Sequence, residues 1–92
     1  MPTQENLLTK SAKFFDLPTD IFENSAHIEL CGTNNVLVEN HKGILEYSDT
    51  ALELNLGTHI LAIYGHGLNI SAMDEKGLRL SGVIEKLEFQ PI

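Results

Sequence analysis

The densest gathering of chemically capable side chains is Glu39-Asn40-His41-Lys42-Gly43. A carboxylate close to an imidazole can do general acid–base work when its pKa matches the task. The flanking Val36-Leu37-Val38 and Ile44-Leu45-Glu46-Tyr47 alternate, so the segment reads as strand, polar turn, strand. Successive strand residues project to opposite faces, which puts Glu39 and His41 on one side and Asn40 on the other. The spacing fixes no nucleophile and no second carboxylate nearby. Three roles stay open for the segment: an acid–base pair, an interaction surface, or a structural turn in which Asn40 bonds to backbone. Gly43 suits a turn position with φ > 0, a conformation that costs a residue bearing a Cβ about 1 kcal/mol or more.

The remaining candidates are weaker. His27, His41, His59 and His66 fall on different expected elements, whereas a metal site needs three or more ligands to converge. His27 and Cys31 share a strand face but stand about 13 Å apart along it, too far for one ion. No metal and no other cofactor is therefore expected. Gly65-His66-Gly67 has neither the Lys-Ser/Thr continuation nor the following helix of a phosphate loop, and reads as a hairpin turn. Cys31, the single cysteine, reads as a small buried hydrophobe; with no partner it forms no intrachain disulfide, and a reducing compartment fits.

Two kinds of element must position these residues. Over residues 3–17, Leu7, Leu8, Ser11, Ala12, Phe14 and Phe15 recur at helical spacing and predict one amphipathic helix, with Leu7, Leu8, Phe14 and Phe15 as a candidate docking stripe. Thr3 can cap it, and Leu17-Pro18 ends it, because the residue before proline is driven out of the α region. From residue 18 the period becomes two, predicting a single β domain over 18–92 behind the helix at 1–17. Apolar alternations at Ile28/Leu30, Val36/Val38, Ile44–Tyr47, Leu52/Leu54, Ile60–Tyr64, Leu68/Ile70, Leu78/Leu80 and Val83–Phe89 predict about eight short strands. Turn formers separate them at Ser48-Asp49, Gly57, Gly65-His66-Gly67, Asp74-Glu75-Lys76-Gly77 and Ser81-Gly82. With no helices between them, the strands should form an antiparallel meander, folded as a sandwich or partly open barrel.

The totals narrow the function classes. Leu, Ile, Val and Phe make up nearly a third of the 92 residues, enough for a core, and the length suits one domain. Six basic against thirteen acidic side chains, a net charge of −7, oppose nucleic-acid binding and unaided docking on an anionic membrane. The longest apolar run, Ile60 to Tyr64, is far short of a transmembrane span, and Thr9-Lys10-Ser11 interrupts Leu7-Leu8 too early for a signal peptide. An acidic, soluble protein is expected.

Glu39-Asn40-His41-Lys42-Gly43-Ile44-Leu45-Glu46-Tyr47 resembles the signature of the YabP/YqfC family of sporulation proteins. Leu56-Gly57 with Ile60-Leu61-Ala62-Ile63-Tyr64-Gly65, then Gly67-Leu68-Asn69-Ile70 and Gly82-Val83-Ile84-Glu85-Lys86-Leu87-Glu88-Phe89, resemble the family's later strands. The N-terminal helix and Leu17-Pro18-Thr19-Asp20-Ile21 look like the YqfC branch. Departures are Ala26-His27, where a proline-arginine pair is expected, and Asn55, where lysine is usual. The resemblance implies a role in endospore formation in a Gram-positive bacterium, in the mother-cell cytoplasm, alongside a membrane protein of the YqfD type. It implies no catalytic residues. The expectation is a non-catalytic interaction module recruited to the forespore membrane, self-associating through open strand edges. A structural or small-ligand-binding β domain, and last an enzyme using His41 with Glu39, are the alternatives.

Overall fold

The computed structural model of the chain describes residues 25–92. The expected helix at 1–17, with Leu7, Leu8, Phe14 and Phe15, lies outside the described residues. Those described are mainly β: β1 (His27–Cys31), β2 (Asn35–Glu39), β3 (Ile44–Tyr47), β4 (Ala51–Asn55), β5 (His59–Met73) and β6 (Gly77–Pro91). They form one open antiparallel sheet in the order β1-β2-β6-β5-β4-β3.

Six strands replace the expected eight because two of the expected turns lie inside strands. Gly65-His66-Gly67 is in the middle of β5, and Ser81-Gly82 in the middle of β6. Fifteen residues of straight strand would run about 50 Å, yet the longest dimension of the molecule is 41 Å. The hairpin must bend, and the glycines are where it does. A Cβ on Gly65 would stand 1.9 Å from the Val83 carbonyl oxygen, and one on Gly82 would stand 2.6 Å from that of Gly67. The glycines serve close backbone approach rather than chain reversal. Pairing slips between Tyr64 and Gly65, between His66 and Asn69, and between Ile70 and Ala72, so β-bulges accompany the bend.

The bend turns one sheet into two facing halves. Residues 77–81 of β6 pair with β2, which pairs with β1; residues 60–64 of β5 pair with β4, which pairs with β3. Val36 opposite Leu80 and Val38 opposite Leu78 fill one inner face, and Leu52 opposite Ile63 and Leu54 opposite Leu61 the other. All eight are at most 2% exposed and belong to one cluster, with Leu68 at the bend. Fully burying such side chains contributes roughly 1.5–3 kcal/mol each.

A simple meander fails at one place. β2 and β3, consecutive in sequence, are not paired, and three strands lie between them in the sheet. The expected polar turn at residues 40–43 is instead a crossing from one half of the sheet to the other. Cys31 also departs from expectation: it is exposed, because it falls on the outward phase of β1 with Glu29, and its Sγ stands 3.8 Å from Glu29 Oε2.

Candidate functional site

The crossing is built from backbone hydrogen bonds at both ends. Asn40 N donates to the Lys76 carbonyl at 2.7 Å, tying it to the β5–β6 turn. Lys42 N donates to the Asn55 carbonyl at 2.6 Å, and Asn55 N donates back to the Gly43 carbonyl at 2.9 Å. Within this frame the motif side chains serve the backbone. Asn40 has φ = 64°, the left-handed region that asparagine tolerates better than most residues. Its Nδ2 donates to the Ser25 carbonyl at 3.0 Å. His41 Nδ1 accepts from Gly43 N at 3.1 Å, which requires that ring nitrogen to be unprotonated. Gly43 has φ = 138°, and nothing lies within 4 Å of where its Cβ would be, so its dihedral rather than crowding requires glycine.

Glu39 and Lys42 are the exposed members of the motif, while Asn40, His41 and Gly43 are half-buried. The ion pairs among the described residues are His27–Glu29, His66–Glu85 and Lys86–Glu88, so none joins Glu39 to His41. No group of three His, Cys, Asp or Glu side chains among the described residues converges as metal ligands. Glu39 instead borders a shallow groove of about 290 Å³ lined by Leu37, Met73, Asp74, Lys76 and Arg79. At its rim, Asp74 Oδ1 accepts from Lys76 N at 2.8 Å and Gly77 N at 3.0 Å. These two backbone donors, helped by the charge of Lys76, hold the Asp74 carboxyl below the usual carboxylate range.

Asn55 was visible only as a departure from the family pattern, yet the crossing depends on it. Besides its two backbone bonds to the crossing, its Oδ1 accepts from Gly57 N at 2.7 Å. Asn55-Leu56-Gly57 is the local signal, since asparagine bonding to the N–H two residues on forms an Asx turn.

Comparison with known proteins identifies the family. The sequence model of the YabP family matches residues 23–91, three-quarters of the chain. The chain belongs to the YabP family. Over 74 residues it is 26% identical to a protein of Bacillus subtilis (strain 168) named "Uncharacterized protein YqfC", covering 80% of each chain. No solved structure matches. Membership in the YabP/YqfC family implies a sporulation-related protein. The matched span starts after the expected helix and covers the whole bent sheet and the crossing.

Proposed function

We propose that the chain is a non-catalytic interaction module of endospore formation, working in the mother-cell cytoplasm and recruited to the forespore membrane by a membrane protein of the YqfD type. The observation that carries this reading is the division of labour within the motif. Asn40, His41 and Gly43 hold the crossing in shape, which leaves Glu39 exposed beside the groove at one end and Lys42 exposed beside Gly57 at the other. Two exposed opposite charges on a backbone fixed at both ends suit recognition of a partner better than proton transfer, for which His41 lacks a bonded carboxylate. The hydrogen-bonding edges of β1 and β3 offer a second mode, strand addition by a partner or another copy. Among the described residues no helix is long and apolar enough to cross a membrane.

The test is affinity capture of the tagged chain from sporulating cells, in parallel with Glu39→Ala/Lys42→Ala. Wild type should enrich one membrane protein, which the double variant loses while keeping its melting temperature. Equal recovery by both proteins removes the motif from the interface. Small-ligand binding is favoured only by the groove beside Glu39; its volume lies at the lower limit for a ligand pocket and its walls are open.

A further inference from the structure

The bent sheet leaves one flank of its core uncovered. There β1 runs beside residues 84–91 of β6, which form the outer edge of the other half. The two are tied at one end only, where Gly82 N donates to the Asn34 carbonyl at 3.2 Å and Ile84 N to the Thr33 carbonyl at 3.0 Å. Toward the other end they part. Between them lies a cleft of about 260 Å³ lined by Ser25, Ala26, Ile28, Leu56, Thr58 and Phe89. That is many times the roughly 30 Å³ of a liquid water. Core-facing side chains stand open along this flank: Phe89, opposite the fully buried Leu61, is 61% exposed, and Leu30, opposite the fully buried Val36, is 54% exposed.

We propose that residues 3–17 of this same chain fill the opening as a helix, with Leu7, Leu8, Phe14 and Phe15 against Ile28, Leu30, Leu56 and Phe89. This is independent of the partner reading and assigns the apolar stripe to the chain's own sheet. Four observations select this occupant. The described chain begins at Ser25, which itself lines the cleft. The seven residues 18–24 reach at most about 25 Å, enough to return a helix to the cleft beside which they end. Fifteen helical residues measure about 22 Å, longer than the five-residue β1 they must cover. The bordering strands carry Glu29, Glu85 and Glu88 against Lys86, and residues 3–17, with Lys10 and Lys13 against Glu5 and Asp16, add no net charge to that acidic border. A short tether also gives the segment an effective concentration in the millimolar range. A second copy would have to compete with that while bringing another net charge of −7.

The single cysteine makes the test direct, because Cys31 is exposed at the end of β1 and takes one nitroxide label. In ¹⁵N-enriched, spin-labelled full-length chain, the amide signals of residues 7–15 should lose intensity relative to the reduced label. In a mixture of enriched, unlabelled chain with spin-labelled, unenriched chain, they should not. Loss confined to the mixture means a second copy fills the opening, and loss in neither sample means the segment lies elsewhere; either result overturns the proposal. Phe14→Ser/Phe15→Ser should restore the signals. Separately, Phe14→Ala and Phe89→Ala should together lower the melting temperature by less than the sum of their single effects, whereas strict additivity would remove the contact.

Discussion

The two flanks of the bent sheet solve the same problem unequally. Where β3 and β4 meet the second half of β5, backbone donors find partners in succession. Gly65 N reaches the Thr50 carbonyl at 3.1 Å, Leu68 N reaches that of Asp49 at 2.8 Å, and Ile70 N reaches Tyr47 Oη at 2.9 Å. Where β1 meets the second half of β6, the ties stop at Ile84, and no backbone hydrogen bond among the described residues joins β1 to residues 85–91. The first flank is bonded along its length, and Ile44 and Tyr47, opposite buried Leu54 and Leu52, are 39% and 46% exposed; the second leaves Leu30 and Phe89 54% and 61% exposed with no such bonds. A flank edged with core-facing side chains and left unbonded calls for an apolar cover.

The largest test of this contrast strikes the bend that both flanks share. Gly65→Ala should cost more than about 3 kcal/mol, or abolish folding, because its Cβ would collide with the Val83 backbone; urea unfolding reads this directly. Leu54→Ala, in the core common to both halves, should cost about 2–5 kcal/mol in the same assay. Gly43→Val should cost at least about 1 kcal/mol through its dihedral alone, and an unchanged melting temperature would refute that. At the bonded flank, Tyr47→Phe should cost about 1 kcal/mol and speed hydrogen exchange at the Ile70 amide while leaving β1 unaffected.

The smallest effect is one of pH, at the tip of the hairpin away from both flanks. The folded chain holds the Asp74 carboxyl below its unfolded value. Its stabilisation is therefore present above the ordinary carboxylate pKa of about 4 and is lost as pH falls through the lower folded value. Asp74→Asn, like the protonated acid, keeps an oxygen acceptor for Lys76 N and Gly77 N but no charge, so it should lower the melting temperature slightly at pH 7 and flatten its pH dependence below about pH 4. An unaltered acid profile would mean that other carboxylates set it.

The β class, the antiparallel pairing and the alternating core at Val36, Val38, Leu52, Leu54, Leu78 and Leu80 were legible in the sequence because each rests on a local period of two. The positive φ of Gly43 and the Asp74–Gly77 turn were legible too. Gly65-His66-Gly67 misled, since glycine looks the same whether it reverses a chain or lets two backbones touch. A phase slip was the available clue: the buried positions run Leu61, Ile63 and then Leu68, from odd to even, as a bulged strand does. The crossing at Asn40–Gly43 was hidden for a different reason. A four-residue polar connector serves adjacent strands and distant ones equally well, and only the pairing of β2 with β6 tells them apart.

The hairpin of β5 and β6 also dictates how the chain must assemble. It runs through both halves, and β2 and β4 each dock on a different strand of it. Its closure at Asp74–Gly77 spans few residues, so it is entropically cheap and belongs to the microsecond regime of hairpin formation. The pairing of β2 with β6 spans about forty residues and must wait for that hairpin as its template. Neither half then has a framework of its own to fall back on, and the sheet should melt as one cooperative unit rather than as two.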